Sequence, residues 1–198
     1  MTRLIAGTAG GRRIAVPSGR DTRPTSDRAR EGLFSTVLAL LGPLEGCRVA
    51  DLFAGSGAVG LEALSRGAEH ALLVESHARA VKVIDDNIAA LGLPGAVLRA
   101  DRVERVVRRG CEEPYDLIFA DPPYALGGEE VTRLLVALRE NGWLAEDALV
   151  VVERAGRSGD LVWPPGYTPE RERRYGEAVF WYGRATDGPG TAPEDVRA

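Results

Sequence analysis

From Arg48 onward the chain repeats one pattern: a short apolar run, a glycine-containing turn, then a segment whose apolar residues recur every three or four positions. The apolar runs are Arg48 to Leu52, His70 to Glu75, Ala96 to Ala100, Tyr115 to Ala120 and Ala148 to Glu153. Runs this short and this continuously apolar predict strands buried on both faces. Helical spacing over Ala58 to Arg66, over Val81, Ile84, Ile88 and Leu91, and over Glu129 to Glu140 predicts the intervening helices, with Gly67 and Gly92 as stops. Strands that alternate with helices imply a mostly parallel α/β sheet covered by helices. Two late runs, Arg171 to Tyr175 and Ala178 to Gly183, meet at Gly176-Glu177 and predict an antiparallel edge hairpin.

Upstream of this pattern the sequence reads differently. Residues 3–6 and 13–16 flank Gly7-Thr8-Ala9-Gly10-Gly11 and predict a small hairpin. An extended polar segment from Ser18 to Thr25 leads to the N-cap candidates Thr25, Ser26 and Asp27. Leu33, Phe34, Val37, Leu38 and Leu41 then mark a helix that Gly42-Pro43 ends. The expected organisation is an N-terminal basic hairpin and extended segment over 1–24, a main domain over 25–184, and a disordered tail over 185–198, which is rich in Gly, Pro and acid. At 198 residues, a chain of this length buries roughly 70% of its unfolded surface and needs no staples.

Charge is uneven along the chain. The net charge is -4, yet residues 1–30 hold seven arginines against two aspartates. That local excess reads either as a phosphate-facing patch on an acidic body or as a solvated basic surface, since Lys82 is the only lysine. Cys47 and Cys111 form no C-x-x-C pair, and His70 and His77 form no ligand cluster, so neither a disulfide framework nor a metal site is expected. No apolar run approaches the roughly 18 residues of a membrane span, and the first residues lack a signal peptide's apolar stretch. A cytoplasmic location and a monomer are expected.

The first strand of the repeat runs into Asp51-Leu52-Phe53-Ala54-Gly55-Ser56-Gly57-Ala58-Val59-Gly60, a G-x-G-x-x-G spacing between strand and helix, and Glu75 ends the next strand. Glycines there admit close backbone approach, and Glu75 is placed to accept from ribose hydroxyls, which suits a nucleoside-containing cofactor. The same spacing serves dinucleotides and S-adenosylmethionine. Asp51 favours the latter, because a carboxylate beside the turn repels a pyrophosphate and suits an ammonium or sulfonium; its alternative role is to cap the turn's own NH groups. Asp101, at the end of the third strand, either accepts from an adenine amino group or caps a helix over 102–109. No Gly-Lys-Ser/Thr follows the turn, so a P-loop is excluded.

After the fourth strand comes Asp121-Pro122-Pro123-Tyr124. An exocyclic amino group attacks a methyl carbon only if its nitrogen pyramidalises, and acceptors aimed at its NH bonds favour that state. The Asp121 side chain and the Pro122 carbonyl are suitable acceptors. Consecutive prolines stiffen the backbone and remove competing donors. Tyr124 offers a flat face for an extruded base, worth about 1–3 kcal/mol. The alternative reading is a strand-terminating turn without chemistry.

On these residues the chain from Arg3 to Tyr182 resembles the bacterial 16S rRNA guanine-N2-methyltransferases of the RsmD type. The resemblance runs through residues 3–13, Thr22-Arg23-Pro24-Thr25-Ser26-Asp27-Arg28, 51–57, 61–68, Asp121 to Tyr124 and Arg174-Tyr175-Gly176. It implies a Rossmann-like class I methyltransferase fold with a seven-stranded sheet, S-adenosylmethionine as cofactor, and 16S rRNA or the small ribosomal subunit as partner. It implies cofactor contacts from Asp51, Phe53, Ala54, Gly55, Gly57, Glu75 and Asp101 with Arg23 and Thr25, and places Asp121, Pro122, Pro123 and Tyr124 at the target amino group. RNA contacts are implied for Arg3, Arg12, Arg13, Arg23 and Arg28. Gly32, inside a predicted helix at a cost of about 1 kcal/mol, and a weak match over 154–170 depart from the pattern. The four-residue motif would serve a DNA adenine-N6 or cytosine-N4 methyltransferase equally, and a catalytically inactive RNA-binding module would keep the arginines.

Overall fold

Apolar runs and glycine stops set the element boundaries. The computed structural model describes residues 1–17 and 26–186. β1 (Thr2–Arg3) and β2 (Arg13–Ile14) pair antiparallel, a hairpin shorter than its sequence pattern. α1 (Asp27–Leu41) follows, with Ser26 as N-cap accepting from the Ala29 amide at 3.2 Å. Then come β3 (Arg48–Leu52), α2 (Ala58–Ser65), β4 (His70–Glu75), α3 (Ala78–Leu91), β5 (Ala96–Ala100), α4 (Val103–Arg108), β6 (Tyr115–Ala120), α5 (Gly128–Glu140), β7 (Leu144–Ala155), β8 (Tyr167–Tyr175) and β9 (Ala178–Ala185). β9 ends at the first residue of the expected tail, and residues 187–198 lie outside the described residues.

Seven strands form one sheet in the order β5-β4-β3-β6-β7-β9-β8. The first five are parallel, and β9 is antiparallel to both β7 and β8. Strand alternation divides the core between two faces. Val49, Leu73, Phe119, Val151 and Phe180 pack with α1, α2 and α3, while Ala50, Leu72, Ile118, Val150 and Val152 pack with α4 and α5. Each fully buried large side chain contributes roughly 1.5–3 kcal/mol.

Gly32 is answered here. It sits mid-helix in α1, where a Cβ would collide with the Tyr175 ring. The glycine therefore admits Tyr175, which packs at 5.7 Å from Phe180, and so holds the edge hairpin against α1.

The N-terminal hairpin is bonded to the main domain. Glu62 of α2, fully buried, accepts from the Ile5 amide at 2.7 Å and the Ala6 amide at 3.0 Å. Its carboxylate also faces Arg30 at 3.7 Å and Arg66 at 2.8 Å. Arg30, likewise fully buried, donates to the Arg3 carbonyl and to Asp27. Asn87 of α3 completes the attachment by exchanging bonds with the Ala15 backbone, at 2.8 and 3.0 Å, while donating to the Ser56 carbonyl at 3.0 Å.

Candidate active site

β3 lies mid-sheet, and the chain passes first to β4 and β5 on one side, then returns to β6 on the other. The carboxyl ends of β3 and β6 thus flank a topological switch point, where open α/β sheets bind ligands. The register pairs Leu52 with both Val74 and Ala120, and Glu75 with Ala100. Asp51, Glu75, Asp101 and Asp121 therefore gather at one edge of the sheet.

The glycine turn is bonded from within. Phe53 takes φ 65, Gly55 φ 58 and Gly57 φ 77, a left-handed sequence that brings the chain from β3 into α2. At Gly57 a Cβ would also lie 2.8 Å from Leu73 Cδ2, so both conformation and space require glycine. Around Gly55 the space is open: nothing lies within 4 Å of a Cβ position there. The Ala54 amide donates to the Val74 carbonyl at 2.9 Å and pins the turn to β4.

Asp51 is 1% exposed and accepts from the Gly60 amide at 2.9 Å, inside the first turn of α2. Of its two readings, the capping role is the one this geometry displays. Burial pushes its carboxyl up to about 7, against the Gly60 bond and aided by the charge of Glu75. Glu75 accepts from the Gly55 amide at 2.9 Å through one oxygen, and from the Ser76 and His77 amides at 2.7 Å through the other. Its carboxylate braces the turn. Asp101 accepts from the Arg102 amide at 2.8 Å and pairs with Arg109 at 3.3 Å and Arg105 at 3.7 Å. It is not the N-cap of α4; Arg102 occupies that position without a side-chain cap.

Across the switch point, Asp121 begins the motif with its amide 3.4 Å from the Leu52 carbonyl. Among the described residues no donor is bonded to its carboxylate. Burial, with the nearby carboxylates of Glu153 and Asp51, raises Asp121 well above the usual carboxylate range. Pro122 is buried and Pro123 exposed, and the Pro123 carbonyl accepts from the Leu126 amide at 2.8 Å to close the loop. Tyr124 is 66% exposed, with the Arg157 guanidinium 5.7 Å from its ring centre.

The expected RNA-facing arginines separate into distinct settings. Arg3 is exposed but pairs with Asp27 at 3.3 Å. Arg12 is turned onto the domain, donating to the Leu91 carbonyl at 2.7 Å at the end of α3. Arg13 and Arg28 are exposed. Arg23 and Thr25 lie outside the described residues. Sequence reading missed Asn87, Glu62 and Glu153: each is a single polar residue inside a helix or strand pattern, and its role depends on partners 31 to 72 positions away or on a neighbouring strand.

A family model described as conserved hypothetical protein 95 matches residues 2–184. The Escherichia coli K12 protein named ribosomal RNA small subunit methyltransferase D is 36% identical over 179 residues, covering 90% of this chain and 87% of the relative. The chain belongs to this methyltransferase D family. Among solved structures of similar proteins, Escherichia coli yhhF superposes with a TM-score of 0.82 at 31% identity, covering 94% of this chain and 99% of that one. A hypothetical protein of Thermus thermophilus, TTHA0928, gives 0.75 at 33%, covering 92% and 98%. The family's fold is the class I methyltransferase arrangement, and the sheet order and N-terminal hairpin of this chain conform to it.

Proposed function

We propose that the chain transfers a methyl group from S-adenosylmethionine to the exocyclic N2 amino group of a guanosine in 16S rRNA, within the assembled small subunit, acting in the cytoplasm as a monomer. The observation that carries this reading is the pairing, across one switch point, of a glycine turn ringed by carboxylates with the Asp121-Pro122-Pro123-Tyr124 motif. The name of the Escherichia coli relative supports rRNA as the methyl acceptor.

The donor set fits the cofactor. Open space at Gly55 admits close approach to the backbone, and Glu75 and Asp101, at the ends of β4 and β5, present acceptors to a cationic nucleoside, while buried Asp51 shapes the turn through the Gly60 amide. When bound, S-adenosylmethionine supplies an electrophilic methyl carbon on sulfonium. Phe53, Ala54, Gly55 and Gly57 would hold it along the turn, with Glu75 at the ribose and Asp101 at the base. The target guanine stacks on the exposed Tyr124 ring, and a carboxyl oxygen of Asp121 and the Pro122 carbonyl accept its two N2 hydrogens. With those NH bonds held, the nitrogen lone pair leaves conjugation with the ring. As the N–C bond forms the C–S bond breaks, the sulfur would leave as a neutral thioether, and the methylated nitrogen sheds one proton to solvent; this chain's part is alignment of nitrogen, carbon and sulfur.

Labelled S-adenosylmethionine, offered with small subunits that lack the modification and with duplex DNA in parallel, tests the reading. N2-methylguanosine in the particle is the expected product. Methylated adenine or cytosine in DNA, with an unlabelled particle, would overturn it.

A further inference from the structure

The arginines at the edge hairpin carry an inference that the N-terminal charge excess does not. β7, β9 and β8 place Arg154 opposite Val179 and Val179 opposite Arg174, so the two arginines stand in one row on the α4 and α5 face. Strand spacing sets them about 10 Å apart. Both lie near the carboxyl ends of β7 and β8, the same edge of the sheet as Asp121. The Arg154 guanidinium reaches toward Gly128 at the start of α5, next to the loop that follows Tyr124. Arg174 lies against Gly156, and Arg157, one residue on, covers the Tyr124 ring at 5.7 Å.

These three cations have no ion-pair partner among the described residues. Other arginines are paired with acid, as Arg3 with Asp27, Arg48 with Glu113, Arg66 with Glu62, Arg109 with Asp101 and Arg184 with Glu170, and others again, such as Arg28 and Arg108, stand without an ion pair among the described residues; what distinguishes these three is their place beside Tyr124 at the Asp121 edge of the sheet. In a protein of net charge -4, a row of unpaired arginines beside an exposed aromatic ring is complementary to a polyanion that stacks its bases. Arg157 and Arg174 are exposed, so their charge faces outward.

We propose that Arg154, Arg157 and Arg174 form an RNA-contact surface that grips phosphodiester groups flanking the nucleotide stacked on Tyr124. The inference rests on the reading of the chain as an RNA methyltransferase and adds a second point of contact. Strand geometry holds the sugar-phosphate chain at the edge hairpin while the base turns into the motif. Phosphate contacts of this kind fix register and orientation without reading sequence.

The test uses the full chain and a double variant, Arg157→Gln with Arg174→Gln, both at exposed positions. Arg108→Gln, an exposed arginine at the far end of α4, makes a charge-matched control. Binding to unmodified 16S rRNA is measured across salt concentrations, and methyl transfer to small subunits is measured in parallel. The double variant is expected to lose about 0.7 per arginine from the slope of log affinity against log salt, with KM raised about tenfold and kcat retained. Arg157→Lys should recover the slope of that position. A slope and KM equal to those of the Arg108→Gln control would overturn the surface while leaving the function in place. A lost slope in a chain whose wild type methylates no RNA would keep the surface and remove the function.

Discussion

The two halves of the switch point are built on opposite terms. On the glycine-turn side, Asp51 and Glu75 are occupied by the amides of Gly60, Gly55, Ser76 and His77, so the shape of the turn is fixed by the protein's own bonds. On the Asp121 side, the carboxylate lacks a bonded donor among the described residues and Tyr124 stands largely in solvent. A site that must hold the same small ligand at every turnover gains from a preset shape. One that must receive a base drawn out of a large RNA gains from acceptors left open. On the proposed function, the acceptor at Asp121 that no protein donor occupies among the described residues is the one the substrate would use.

Breaking the open half should have the largest effect. Asp121→Ala is expected to lower methyl transfer by about 10²–10³-fold, the usual cost of losing one preorganised transition-state partner, while calorimetric affinity for S-adenosylmethionine stays within a few-fold. Breaking the preset half should instead appear in stability. Gly57→Ala places a Cβ at φ 77 against Leu73 and is expected to cost about 2 kcal/mol in denaturant unfolding. An intermediate loss is expected for Tyr124→Ala, about tenfold in KM for RNA, with an unchanged melting midpoint because the ring is exposed. A last effect concerns protons. Folded Asp51 keeps a proton up to about pH 7 that the unfolded chain has released from its ordinary 3.8, so stability falls as pH rises through that window. Asp51→Asn should flatten the slope by less than one bound proton, read from unfolding curves between pH 4 and 7. An unaltered slope would show that Asp51 titrates normally.

Elements with an apolar signature were legible before any coordinates: β3, β4, β5 and β6 match their sequence limits residue for residue. β7 and β8 begin four residues earlier than their apolar or turn signals, because Leu144 pairs with Tyr115 ahead of a bulge before Leu149, and Tyr167, Thr168 and Pro169 pair with β9 ahead of a bulge at Glu170. Period-two reasoning has nothing to count in such stretches. At the site, the motif residues could be named from spacing, but their protonation could not. Asp121 and Glu153 are 32 positions apart, and only the register of β6 with β7 makes them electrostatic neighbours. The setting of Arg12 was hidden for a related reason: an arginine beside a hairpin turn looks solvated until α3 is seen to end beneath it.

Glu62 makes the first seventeen residues inseparable from the enzyme. A chain beginning at Ser26 would still contain every strand of the large sheet, every helix among the described residues and all four motif residues. It would also contain a carboxylate at the centre of α2 stripped of the Ile5 and Ala6 amides, and an arginine at position 30 stripped of the Arg3 carbonyl. Water would have to enter beneath α1 to solvate them. The N-terminal hairpin, which the sequence sets apart from the main domain, is a plug, fastened by Glu62 near its start and by Asn87 near its end.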